Sequence, residues 1–190
     1  VSKENEFIAE ATMEELALIF STATTWADVN PAWPAEEIQR FIPGTDSGTF
    51  DFFVEEVFDE DEAPILSAAN TQLSEDDNVL VQGVLGSPYA IGFFGYAYYV
   101  ENEDTLTILD VEGVEATAES VDAGDYPLAR FLYVYINKAP GEPLSPLTRE
   151  FVKLVLSREG QEVVVKDGYF PITANIAREA LTSVGIAPGF

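Results

Sequence analysis

An α/β fold with a structural division near residue 126 is predicted by three observations. Short runs of β-branched and aromatic residues alternate with amphipathic helical segments, which is the pattern of strands crossed over by helices. Helix-start signatures recur, first at Thr12-Met13-Glu14-Glu15. The charge changes character near residue 126: residues 1–129 carry 28 acids and two bases, Lys3 and Arg40, whereas 130–190 carry 6 acids and 7 bases. A chain of 190 residues, 47% of them apolar, can bury one core or two despite its charge.

In chain order, Thr12 and Glu15 form a capping box, with Leu16, Ile19 and Phe20 at helical spacing after it, predicting a helix from Met13 to Ser21. Trp26 to Pro34 reads as loop, Glu37 to Phe41 as a short strand closed by Pro43-Gly44, and Phe50 to Phe58 as an amphipathic helix. The acids Asp59 to Glu62 before Pro64 make a solvated turn rather than a calcium loop, since they lack the glycine and spaced ligands of one. Ser74, with Asp77 three residues on, marks another helix start, followed by Val79, Leu80, Val81 and Val84. Tyr89 to Phe94 reads as a buried strand, Gly95 to Val100 as a tyrosine-rich helix whose rings pack inward, and Leu106 to Val111 as a strand. A boundary is predicted over Asp122 to Pro127. Beyond it Phe131 to Ile136 has the strongest strand character in the chain, and two or three helices punctuated by Gly160, Gly168 and Pro171 close it.

Composition narrows the chemistry. There is no cysteine and no histidine, so disulfides, thiol catalysis, Cys-ligated zinc and a Ser-His-Asp triad are excluded. No Ser-Lys pattern is visible; a hydrolase would have to use Ser47 without a histidine base, or a carboxylate pair among the many acids. A net charge of −25 argues against binding nucleic acid through its phosphates. An acid-rich, halophile-type solvated surface accounts for the excess. Any anion site in such a chain must work through local hydrogen-bond donors rather than long-range attraction. No apolar run is long enough for a membrane span, and no basic and apolar leader opens the chain, so a signal segment is expected to be absent from it.

The loop Gly44-Thr45-Asp46-Ser47-Gly48-Thr49, running into the helix from Phe50, is the one segment with a specific chemical purpose. A helix's first turn leaves N–H groups without internal partners, and its dipole favours negative charge there. Gly48 lets backbone approach an anion, and Ser47 and Thr49 add hydroxyl donors. Asp46 would repel a fully ionised guest yet accept a proton from hydrogen phosphate, discriminating against sulfate. The simpler alternative is that Asp46 and Ser47 only cap the helix.

The wider blocks Gly44 to Phe53, Glu75 to Val84, Ala90 to Tyr99, Tyr126 to Arg130, Ser157 to Gln161 and Gly168 to Pro171, in this order, resemble the PstS-type phosphate-binding proteins of ABC transporters. The resemblance implies a periplasmic-binding-protein-like (type II) lobe, a mixed sheet flanked by helices, at 13–125, carrying the oxyanion loop. It makes 1–12 and 126–190 the crossover strands and the remainder of an incomplete other lobe, with the N-terminal part of that lobe preceding this chain. It places phosphate at Thr45, Asp46, Ser47, Gly48 and Thr49, with Asp76, Asp77, Asn78 and Arg130 as cleft candidates. The better-known branch has Arg four residues before the loop serine and Asp two before it; Pro43 and Thr45 stand there in this sequence, so Arg130 is the candidate guanidinium and Arg40 is read as a surface residue. The implied function is an extracytoplasmic, monomeric solute receptor, not an enzyme and without cofactor or metal. It would deliver inorganic phosphate to a membrane ABC permease, and this piece alone is expected to bind phosphate weakly. The alternatives are another tetrahedral oxyanion such as sulfate or arsenate, a hydrolase, and a structural surface domain.

Overall fold

Thr12 starts the first helix as its spacing to Glu15 predicts. Its hydroxyl accepts the Glu15 N–H at 3.1 Å while its own N–H donates to Glu15 Oε2 at 2.9 Å. The computed structural model describes residues 1–189, and helix α1 (Met13–Ile19) buries Leu16 and Ile19. It stops two residues short of the predicted end, because the Ile19 carbonyl is taken by the guanidinium of Arg40 instead of a further helical turn.

The first compact unit, Val1–Ala129, is organised around strand β2 (Gln39–Pro43). β2 pairs in parallel with β3 (Thr71–Ser74) on one side and β4 (Ala90–Gly92) on the other, giving the order β3-β2-β4. Pro43 lies opposite Ser74 and Phe41 opposite Gly92. The connections are helical: α3 (Gly48–Phe58) and α4 (Ala63–Leu66) lead from β2 to β3, and α5 (Asp77–Leu85) from β3 to β4. Helical crossovers return the chain to start each strand in the same direction, which is why the sheet is parallel rather than mixed. Among the described residues, antiparallel contacts are confined to isolated bridges such as Ser2 with Leu106. A second parallel pair joins β1 (Glu10–Ala11) to β5 (Asp110–Val111). The predicted strand from Leu106 shrinks to those two residues because its partner is no longer. One-turn α2 (Trp26–Val29) sits inside the predicted loop, and α6 (Tyr96–Val100) and α7 (Ala118–Ala123) complete the unit.

β2 is buried on both faces. Ile38 and Ile42 join the larger core with Leu16, Phe20, Phe50 and Phe53, whereas Phe41 joins Leu80, Val81 and Val84 of α5 on the other side. The larger core holds the Phe53 and Phe93 rings stacked at 3.9 Å with Phe20 edge-on to both. Gly83 allows α5 to lie against the Phe41 ring, which stands 2.1 Å from where a Cβ would be. Val1, Ile8 and Ala11, assigned by resemblance to a crossover, pack in this same core.

Arg40 corrects the sequence reading outright. It is fully buried, on the β2 face of Ile38 and Ile42, and no carboxylate pairs with it among the described residues. Its guanidinium donates to the carbonyls of Ile19, Ala23 and Ala69. A planar fork of donors suits three fixed carbonyls, one of them at a helix C-terminus where the dipole favours a cation. Burial pushes its pKa down to about 10, so it stays charged at neutral pH.

The second unit, Arg130–Phe190, is helical where it is regular: α8 (Pro146–Val155), α9 (Arg158–Lys166) and α10 (Ala174–Ser183), capped by Ser145, Ser157 and Thr173. Val152, Leu181 and Ile186 form its small core. Phe131 to Ile136, predicted to be the strongest strand, is not a strand. Among the described residues no neighbour pairs with it, and Leu132 and Tyr135 are 71% and 91% exposed. β-propensity measures fit to a sheet that must be supplied by another strand.

Replacing Arg40 by leucine leaves the buried carbonyls of Ile19 and Ala23 without that donor, each costing on the order of 1–3 kcal/mol, while the more exposed Ala69 carbonyl keeps the Thr71 hydroxyl at 3.3 Å. Urea unfolding of Arg40→Leu is expected to show a loss of at least about 2 kcal/mol; a variant of unchanged midpoint would contradict this role.

Candidate functional site

Because β2, β3 and β4 run in parallel, the connections that leave their carboxyl ends open on one edge of the sheet. These are the 44–47 loop into α3, Glu75-Asp76 into α5, and 93–95 into α6. The first two are tied by backbone, Gly44 N–H donating to the Ser74 carbonyl at 3.0 Å. Ser74 is therefore the last strand residue rather than a helix cap; Asp76 takes that role, its carboxylate accepting the Asn78 N–H at 3.0 Å.

The Gly44 to Thr49 loop is a tight turn closed by Ser47 N–H to the Gly44 carbonyl at 3.0 Å. Ser47 caps α3, its hydroxyl oxygen accepting the Thr49 N–H at 3.2 Å, and its O–H remains available as a donor. The Gly48 and Phe50 N–H groups, in the first turn of an 11-residue helix, have no acceptor among the described residues. Thr45, Asp46 and Gly48 are exposed, and Ser47 and Thr49 half-buried. This is an open shelf of donors. Two hollows of about 300 and 390 Å³ lie elsewhere, one beside Phe7 and Trp33 and one along the flank of α3, and neither includes a residue of the loop.

Of the residues singled out from sequence, Thr45 to Thr49 and Asp76 to Asn78 lie on connections leaving this one edge. Arg130 is exposed and begins the second unit. From sequence, Glu75 entered only within the acidic run that opens the block Glu75 to Val84 and was not linked to the loop. Its Oε1 accepts the Asp46 N–H at 3.4 Å, and it stands 1.8 Å from where a Cβ on Gly44 would be. The available signal was a glycine directly after Pro43, in a turn that does not need a positive φ.

Asp77 is half-buried beside two other acids, and its pKa is raised by burial first and then by the charges of Asp76 and Glu75. Among the described residues, no group of three or more acids is arranged to hold a metal ion.

A model described as the PBP superfamily domain matches residues 1–159. The chain belongs to the PBP superfamily. Within it, the expected kinship to PstS-type proteins is borne out. The chain is 36% identical to the phosphate-binding protein PstS of Pseudomonas aeruginosa over 98% of this chain and 60% of that protein. Identity to PstS of Staphylococcus saprophyticus is 37% over 85% of this chain and 50% of that one. It thus spans half to three-fifths of these curated relatives. A candidate phosphate ABC transporter substrate-binding protein of Clostridium perfringens, solved with bound phosphate, superposes with a TM-score of 0.72 at 27% identity, covering 90% of this chain and 66% of that one. A possible phosphate binding protein of Planctomyces limnophilus gives 0.70 at 29% identity over 96% and 66%. These PBP superfamily neighbours share the α/β architecture of parallel sheet and flanking helices.

The raised pKa of Asp77 fixes a sign. At neutral pH its carboxylate is ionised in both states but less comfortably in the fold, so it subtracts stability there. That penalty fades as pH falls through its folded pKa toward the ordinary carboxylate value of 3.8. Asp77→Asn is expected to raise the melting temperature at pH 7, by less than about 1 kcal/mol equivalent for so exposed a group. The gain should vanish at pH 3; a gain that grows with acid would contradict it.

Proposed function

We propose that this chain carries the oxyanion-holding wall of an extracytoplasmic receptor that captures inorganic phosphate for a membrane ABC permease, acting as a monomer and not as an enzyme. The observation that carries the reading is the set of unpaired Gly48 and Phe50 N–H groups beside the Ser47 and Thr49 hydroxyls, at the carboxyl edge of a parallel sheet. The Thr45 hydroxyl, also exposed, stands at the rim. The relatives named for phosphate binding, and the neighbour solved with phosphate bound, support the choice of ligand.

Asp46 supplies selectivity in this reading. Its exposed carboxylate adjoins the donors and accepts the proton that hydrogen phosphate retains and sulfate lacks; sulfate would leave two acceptors facing each other. Asp76, Asp77 and Asn78 border the same edge, and the proposal assigns Arg130 no contact. Ser47 does not act as a nucleophile here: its hydroxyl is engaged with the Thr49 N–H, and the chain has no histidine or cysteine to activate it. No helix among the described residues is long and apolar enough to cross a membrane.

Amide NMR during phosphate titration tests this at any affinity. The Gly48, Thr49 and Phe50 signals are expected to move together and saturate, sulfate to displace phosphate poorly, and Gly48→Val to weaken binding at least about tenfold. Saturable shifts elsewhere with a silent loop, or stronger binding of sulfate, would refute the assignment.

A further inference from the structure

The hollow over Gly44 is occupied by the protein's own carboxylate. Glu75 leaves the end of β3, is exposed, and turns Oε1 onto the oxyanion loop, accepting the Asp46 N–H at 3.4 Å. A Cβ at Gly44 would meet that oxygen at 1.8 Å and the carboxyl carbon at 2.3 Å. Gly44 is buried and does not have a positive φ, so backbone conformation does not demand a glycine there. The space a side chain would fill is filled by Glu75 instead. Two neighbours add negative charge around it: Asp76, which caps α5, and the half-buried Asp77.

From this arrangement we propose that Glu75 is an internal anion that occupies the oxyanion loop when no ligand is bound and must be displaced by phosphate, so that it sets the affinity and the anion preference of the site. The proposal rests on the phosphate-binding reading above. A carboxylate contributes two acceptor oxygens and a negative charge, the same features by which an oxyanion would engage loop N–H donors. With Glu75 seated, an arriving oxyanion meets one donor already engaged and a like charge nearby. With Glu75 swung into solvent, the Asp46 N–H joins the Gly48 and Phe50 N–H groups as a free donor. The contact is long and exposed, as an element that must yield should be, since a short buried one would block binding outright. Apparent affinity is then reduced by the fraction of molecules in which the carboxylate is seated. Sulfate is wholly dianionic at neutral pH whereas part of the phosphate pool is the singly charged dihydrogen form, which suffers less from the residual repulsion, so Glu75 biases the loop toward phosphate.

Two substitutions remove the internal anion by different routes. Glu75→Gln keeps the shape and removes the charge; Gly44→Ala keeps the charge and evicts the carboxylate, whose flexible end can move away. Both are tested in the full chain by amide NMR with inorganic phosphate and, separately, sulfate as probes. The Asp46 amide signal is expected to shift in both variants before any ligand is added. Phosphate should then bind about fivefold more tightly in each, and sulfate should gain more than phosphate. Equal phosphate affinity in wild type and Glu75→Gln, with the loop amides still responding, would overturn the internal-anion role and leave the phosphate site standing. Weaker binding in Glu75→Gln would overturn it too, making Glu75 a ligand contact. If phosphate moves no loop amide in any of the three proteins, the phosphate reading itself fails and this inference with it.

Discussion

A strand paired in parallel on both sides must send its own carboxyl end and those of its neighbours to the same edge, and that constraint at β2 organises the first unit. Each neighbour needs a helical return, so α3 and α5 begin where β2 and β3 end. Their first turns bring unpaired N–H groups and the positive ends of two helix dipoles to one edge. Arg40 holds the opposite commitment in place. By binding the carbonyls of Ile19, Ala23 and Ala69 from the middle of β2, it locks the end of α1 and two connections onto the face of the sheet. The donors at the edge follow a strand packed on both faces.

The charge balance makes that arrangement informative. Residues 1–129 carry 28 acids and two bases, and one of those bases, Arg40, is buried with its guanidinium committed to carbonyls. An anion approaching this unit finds no field drawing it in. What can hold it is short-range: N–H groups and hydroxyls at contact distance, where screening by about 8–10 Å of salt solution does not intervene. Neutral donors also permit selection by proton count. A site built on guanidinium would favour the most charged anion, whereas the proposed one, flanked by Asp46 and faced by Glu75, would favour the guest that brings a proton or less charge.

Features governed by neighbours in sequence were legible. The Thr12–Glu15 capping box, the α3 start at Ser47-Gly48-Thr49, and the helices of the tail depend on groups two to four residues apart, and the structure has them. Features governed by neighbours in space were not. Arg40 looks like a surface base until Ile19, Ala23 and Ala69 are brought around it. Ser74 reads as a cap until its pairing with Pro43 makes it a strand end, and β3 itself, four residues with little alternation, exists because β2 offers an open edge. Phe131 to Ile136 is the converse: strand-like composition without a paired strand beside it. At the candidate site the loop was readable as a sequence motif, but Glu75 was hidden, since nothing local links it to Gly44 across 31 positions.

The central claim is that a tetrahedral oxyanion sits on the backbone of the loop entering α3. Diffraction from crystals of this chain soaked in arsenate, located by its anomalous signal and competed with phosphate, tests it most directly. The account predicts one arsenic position within hydrogen-bonding reach of the Gly48 and Phe50 N–H groups and the Ser47 and Thr49 hydroxyls, with the Glu75 carboxylate moved off Gly44. An empty loop with arsenic bound instead in the hollow beside Trp33, or on the arginines and lysines of the helical tail, would contradict it.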